Sequence, residues 1–266
     1  MNDCAGSLGG DQRVDRGELA RSAIRFRGRH HGPEPLVVPN AWDAASARLI
    51  QQAGFEAVAT TSGGIAASLG VEDHEAMNAD QMFRSVELIA RAVSVPVSGD
   101  VESGYGLAPD ELVDRILAAG LVGMNLEDTD HRRGELAEPH GHAARLAAIK
   151  EAARAVGVDL VLNARVDVFL RGAGSLEDRL KEALARAGLY REAGADCVFP
   201  IMLTDEGLIG RFVAEAGAPV NILAVPDGPS LPRLAEIGVA RVSFGSGLHR
   251  RALRPSRRSS TSCAHR

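Results

Sequence analysis

"VPVSGDVESGYG", Val95 to Gly106, joins an apolar run to two carboxylates, Asp100 and Glu102, and then to a turn punctuated by glycine. A short β-branched run bounded by turn residues reads as a buried strand. Ionised carboxylates are excluded from cores unless they are paired or hold a metal. Their place at the end of this strand therefore puts them at an opening in the fold, where polar chemistry is tolerated. The nature of that opening depends on how many strands of the same kind the chain supplies.

Eight runs qualify: 35–40 "PLVVPN", 56–62 "EAVATTS", 95–100 "VPVSGD", 122–128 "VGMNLED", 160–167 "LVLNARVD", 197–203 "CVFPIML", 219–225 "PVNILAV" and 240–246 "ARVSFGS". Amphipathic stretches such as "ADQMFRSVELIARAV" and "SLEDRLKEALARAGLYREAG" alternate with them, and several end in Ala-Gly or Ile-Gly before an apolar residue, a helix C-cap signature. Strands apolar almost throughout, each followed by a helix, suit a parallel sheet covered on its faces. Eight such units predict an α/β fold, a parallel eight-stranded (β/α)8 TIM barrel with its active site at the C-terminal strand ends. A doubly wound open sheet would carry a Gly-rich turn after its first strand, and "PNAWDAAS" has none.

The same pattern sets the domains. Residues 17–253 read as a single barrel catalytic domain. Residues 1–16 read as a disordered N-terminal extension, and 254–266, "RPSRRSSTSCAHR", as a disordered basic tail. An aromatic share of 4% and a net charge of -5 offer neither stacking platforms nor a basic field, so nucleic acid is not expected as a partner. No apolar run approaches the roughly 18 residues of a membrane span, and the N-terminus lacks the apolar core of a signal peptide. The expectation is a cytoplasmic protein with no membrane partner. None of the three cysteines has metal-ligand spacing.

Polar residues do collect at the predicted strand ends: Asn40 with Trp42 and Asp43, Thr61 to Gly64, Asp100 with Glu102, Glu127 with Asp128, and Asn163, Arg165 and Asp167 at alternate positions. Residues two apart on a strand share a face and neighbouring strands lie about 4.8 Å apart, so Asp100, Glu102 and Glu127 can converge. Such a cluster is unfavourable unless a divalent cation relieves the repulsion. All-oxygen ligation, with no Cys and no well-placed pair of His, selects Mg2+ or Mn2+. The alternative is that these acids cap helices or pair with arginines such as Arg115 and Arg165. Arg165 either meets a neighbouring acid or grips a substrate carboxylate or phosphate. "TSGG", 61–64, is either a simple turn or a source of backbone N–H groups for an anion. Together these groups describe a site for a small anionic carboxylic acid.

The ordered series "PNAWDAASARL", "TTSGGIAASLG", "GDVESGYG", "NLED" and "NARVDVFL" resembles the phosphoenolpyruvate mutase and isocitrate lyase superfamily, from about Pro35 to Leu253. The branch it is most similar to is the phosphoenolpyruvate mutase-like, carboxyphosphonoenolpyruvate phosphonomutase-like one. The resemblance implies a Mg2+-dependent enzyme that makes or breaks a C–C or P–C bond of a small 2-oxo or 2-hydroxy acid through a metal-stabilised enolate. It also implies roles: Asp100 as principal metal ligand, Glu102 and Glu127 holding the ion directly or through water, and Asp73, Glu127 and Arg165 as catalytic residues. Trp42, Asp43, Ser62, Gly63, Gly64, Asn163 and Arg165 become substrate-binding positions. A homodimer or homotetramer follows from the same likeness.

The loop after strand four departs from the family. It reads "EDTDHRRGELAEPHGH", without the Lys-Lys-Cys-Gly-His of isocitrate lyases. Thr129 stands where phosphonate mutases place Lys, and no Asn follows before Ala143. The expected activity is accordingly a C–C lyase or oxaloacetate decarboxylase, with a phosphonomutase or hydrolase, or a non-catalytic carboxylate-binding barrel, as the alternatives.

Overall fold

The computed structural model describes residues 15–254; the predicted tails fall, for 1–14 and 255–266, outside the described residues. In chain order the elements are α1 (Arg16–Arg29), β1 (Leu36–Val38), β2 (Asn40–Ala41), α2 (Ala44–Gln52), β3 (Val58–Thr60), α3 (Ser62–Leu69), α4 (Ala79–Ala90) and β4 (Val97–Asp100). There follow α5 (Pro109–Ala118), β5 (Gly123–Glu127), β6 (Thr129–Asp130), β7 (Glu135–Leu136), α6 (Pro139–Ala155), β8 (Val161–Val166), α7 (Val168–Arg171) and α8 (Leu176–Glu192). The chain then forms β9 (Cys197–Pro200), α9 (Glu206–Glu215), β10 (Asn221–Leu223), α10 (Leu231–Ile237) and β11 (Arg241–Ser243), and residues 247–254 are helical.

Each of the eight apolar runs forms a strand, and every pairing among them is parallel. β1 and β2 are two halves of the first run. β1 pairs with β11, while β2 starts the series β2-β3-β4-β5-β8-β9. A single parallel bridge, Val198 to Val220, joins β9 to the residue before β10, and β10 pairs with β11. The pairings thus return to their starting run, as a (β/α)8 barrel requires. β6 and β7 form a separate antiparallel hairpin in the loop after β5.

Local chemistry accounts for the helices. Asp43, Asn78 and Ser175 cap α2, α4 and α8, each in a reciprocal capping box. Gly54, Gly120, Gly194, Gly217 and Gly238 all take positive φ at helix ends, which explains the recurring Ala-Gly and Ile-Gly phrases. α1 precedes the eight-unit pattern and crosses the N-terminal end of the barrel. There Arg27 bonds to Asp196 just before β9 and to the carbonyls of Asp159 and Leu160, and a Cβ on Gly123 would meet Phe26 at 3.0 Å. With that end covered, the open mouth lies at the C-terminal strand ends.

Candidate active site at the strand ends

Asp100 closes β4 and is buried. Its Oδ2 accepts from both the backbone N–H and the hydroxyl of Ser62, each at 3.1 Å, while its own N–H donates to Thr60 Oγ1 at 2.8 Å. Its Oδ1 is buried without a hydrogen-bond partner. Burial raises its pKa above the ordinary range, outweighing the opposing charge of Arg165 and the bonds from Ser62. A buried carboxylate oxygen left unsatisfied is costly, so this atom is available to a cation.

Glu102 stands in the turn that follows, with a positive φ of 52°. Its Oε2 accepts from Glu75 N–H at 2.6 Å and its Oε1 from Tyr105 Oη at 2.5 Å. Burial lifts its pKa to about 7; the Tyr105 bond opposes the shift, and the charges of Asp73, Asp100 and Glu127 add to it. Glu127, at the end of β5, lies 2.5 Å from Arg165 Nη1 through Oε2 and 2.6 Å from His131 Nε2 through Oε1. Its pKa is also raised, first by burial. Asp73, on the loop after α3, leaves a buried Oδ1 unpartnered and sits so close to α3 that a Cβ on Gly63 would lie 2.6 Å from its Oδ2.

Arg165 spends three of its five N–H groups on protein acids: Nε and Nη2 on Asp167, at 2.7 and 3.0 Å, and Nη1 on Glu127. Of the two roles open to it in the sequence, pairing with acids is the one seen here. Arg115, the other arginine considered for such pairing, instead meets Asp80 and Glu111 on the outer surface. Asp167 also accepts from Thr129 Oγ1 at 2.6 Å, so the residue standing in place of the mutase lysine fixes the hairpin base. Asp128 serves the scaffold, accepting from Tyr190 Oη at 2.7 Å and Arg186 Nη1 at 3.0 Å.

The remaining candidates divide. Ser62, Gly63 and Gly64 form the first turn of α3, capped by Thr61, and not a free loop. Trp42 packs edge-on to His249 at 5.1 Å between ring centroids. Asp43 is exposed and its carboxylate caps α2. Asn163 lies fully buried two residues before Arg165 on β8 and donates to Asn125 Oδ1 at 2.8 Å. Asn40 ties three strand ends together, donating to Thr60 O and accepting from the backbone N–H groups of Phe244 and Gly245.

Two residues alter the sequence-based selection of metal. His131, in the hairpin, has a side chain only 6% exposed and reaches Glu127 and, at 3.9 Å, Glu102. Burial lowers its pKa, but the acids around it prevail and the net shift is upward. His74 follows Asp73, and its ring centroid lies 5.5 Å from that of His131. A well-placed pair of His is therefore present, contrary to expectation, assembled from loops far apart in sequence. The one available signal was the spacing of His131 four residues after Glu127 at a strand end.

A cavity of about 310 Å³ lined by Asp80, Phe83, Arg84 and Arg115 sits on the outer helical layer, away from these acids.

A profile of the family described as phosphoenolpyruvate phosphomutase matches residues 26–263. The chain belongs to this family. An uncharacterized protein of Mycobacterium tuberculosis is 36% identical to this phosphomutase-family chain over 229 residues, covering 84% of it and 82% of the relative. A candidate phosphonomutase from Burkholderia cenocepacia J2315 superposes with a TM-score of 0.86 at 39% identity, covering 92% of this chain and 99% of that one. A 2,3-dimethylmalate lyase, itself of the phosphoenolpyruvate mutase and isocitrate lyase superfamily, gives a TM-score of 0.82 at 26% identity over 92% of this chain and 87% of that one. The family thus comprises lyases and mutases acting on small carboxylates, on the fold seen here.

Proposed function

We propose that the protein is a Mg2+-dependent lyase, with Mn2+ as a substitute, that cleaves a C–C bond of a small 2-oxo or 2-hydroxy acid, as in oxaloacetate decarboxylation. The observation that carries this is the pair of buried, unpartnered oxygens, Asp100 Oδ1 and Asp73 Oδ1, within an acid group whose cations are already committed. Oxygen donors of this kind fit a hard divalent ion. Asp100 and Asp73 would hold it directly. Glu102 and Glu127, whose oxygens already have partners, would hold it through water.

When bound, the ion supplies Lewis-acid polarisation of the substrate's 2-oxygen. The chain's own residues set the geometry. Ser62 fixes Asp100 by two hydrogen bonds, so the free Oδ1 is held in one orientation. Among the first-turn amides of α3, that of Ser62 goes to Asp100 and that of Gly64 to Thr61, which leaves the Gly63 N–H for a substrate carboxylate. Glu127 and Asp167 hold the Arg165 guanidinium flat at the rim with two N–H groups to spare for the same anion.

The alternative, P–C bond chemistry by a phosphonomutase or hydrolase, is favoured by the family profile and by the Burkholderia structure. A phosphoryl group needs cations to spread its charge. Thr129, which donates to Asp167, stands where the phosphonate mutases place Lys, and this supports C–C chemistry over P–C. The test is product formation, each with Mg2+ and with excess chelator: pyruvate from oxaloacetate and 2-methylisocitrate, and either phosphoenolpyruvate (mutase) or pyruvate plus phosphate (hydrolase) from phosphonopyruvate. Chelator-sensitive turnover of either of the first two is expected. Turnover of phosphonopyruvate alone would establish the alternative, and binding of oxalate without turnover of any substrate would support a non-catalytic carboxylate-binding barrel.

A further inference from the structure

His74, Glu102 and His131 are brought together from the loop after α3, the turn after β4 and the hairpin β6–β7. One ligand atom from each lies within 4.8 Å of the others. From this juxtaposition we infer that the mouth carries a second metal site, beside the ion at Asp100 and sharing only Glu102 with its surroundings, selective for a borderline transition ion of the Zn2+ class. Two imidazoles with one carboxylate form a nitrogen-rich set, which suits Zn2+ and is poor for Mg2+.

Three observations support the site. The His131 side chain is 6% exposed, and its Nε2 lies 2.6 Å from Glu127 and 3.9 Å from Glu102. A buried imidazole held among carboxylates is a ligand that can exchange its proton for a metal ion. His74 and its neighbour Glu75 both take left-handed backbone conformations, with φ of 69° and 57°. For L-residues this conformation is strained, and such strain persists where surrounding contacts hold the loop. Here it is held by the Glu75 N–H on Glu102 Oε2 and by Glu75 Oε1, which accepts from Ser103 Oγ and Tyr105 N–H. The latch aims the segment at the hairpin.

Tetrahedral ligands of Zn2+ stand about 3.3 Å apart, so the three groups need to draw in by somewhat more than an ångström. The exposed side chain of His74 supplies that movement. An ion there crosslinks the two segments that border the mouth. It restricts access to the substrate site without engaging the Asp100 carboxylate, whose Oδ2 is held by Ser62.

The experiment uses chelator-treated protein kept saturated with Mg2+, titrated with Zn2+ by calorimetry and with Co2+ by visible absorption. One equivalent of Zn2+ is expected in addition to Mg2+, with Co2+ giving the strong d–d bands of a low-coordinate nitrogen-ligated site. His74→Ala, at an exposed position, is expected to fold and to weaken Zn2+ binding about tenfold or more. Asp100→Asn is expected to lose Mg2+ and keep the Zn2+ equivalent, so failure of this site and failure of the Mg2+ reading are separable. One-for-one displacement of Mg2+ by Zn2+, or Zn2+ affinity unchanged in His74→Ala, would overturn the inference.

Discussion

Asp196 at the N-terminal end of the barrel, its side chain 12% exposed, and the buried Asp100 at its C-terminal end both lie next to strands, but their surroundings have opposite effects. Around Asp196, Arg27 Nε donates to Oδ1 at 2.6 Å, while Lys150 Nζ and Leu162 N–H donate to Oδ2 at 2.9 and 2.8 Å. Burial alone would raise its pKa, but these donors outweigh burial and hold it below the usual range. Asp100 has donors on one oxygen only, and burial prevails. A saturated carboxylate stabilises the closed end of a barrel. An unsaturated one, surrounded by more acids, keeps a coordination position open at the working end at a cost in stability.

The contrast is testable at both ends. Asp100→Asn is expected to lower turnover at least about a thousandfold, since a bound ion supplies several kcal/mol of charge stabilisation. Its melting temperature without metal should equal or exceed that of the wild type, because a buried charge with an unpartnered oxygen has gone. A substantial drop would show that Asp100 is structural, like Asp196.

Lys150→Met is the opposite case. Lys150 is almost fully buried between Asp159 and Asp196, and removing it takes a cation from the largely buried Asp196 and leaves an apolar end beside it. A loss of about 3–5 kcal/mol in denaturant unfolding is expected, with metal affinity unchanged.

The closed end should also be acid-sensitive. His30 at the C-cap of α1 bonds through Nδ1 to Phe26 O, and its pKa is lowered from 6.5 to about 4, by burial first and then by Arg241. A lowered folded pKa means that the native state disfavours the proton. The stabilisation is complete above about pH 6.5 and is lost as pH falls toward 4, by roughly 3 kcal/mol in all. His30→Asn should flatten that limb in unfolding measured from pH 7 to pH 4; an unchanged slope would assign the loss to other groups. The smallest effect belongs to Ser62→Ala, which removes one of two bonds to Asp100 Oδ2. It should weaken Mg2+ binding by about fivefold, or about 1 kcal/mol.

Periodicity made the barrel legible, since eight apolar runs with Gly-terminated helices between them have few other solutions. It did not reveal α1, whose buried Leu19, Ala23 and Phe26 belong to no strand-and-helix unit. Nor did it reveal α3, where a Gly pair signals a turn and only Thr61 as N-cap and the closing Gly70 mark a helix. The acids Asp100, Glu102 and Glu127 could be read from strand-end spacing alone. Asp43 could not be separated from a helix cap, because capping and pocket-lining place the same residue type at the same point. His74 and His131 were hidden for a different reason: a loop-to-loop encounter leaves no periodic trace in the sequence.

The most direct measurement is a calorimetric titration of Mg2+ into chelator-treated wild type and Asp100→Asn. One site in the wild type, absent from the variant while its fold persists by circular dichroism, is the expected result. Equal Mg2+ binding by the two proteins would contradict a metal centre built on Asp100.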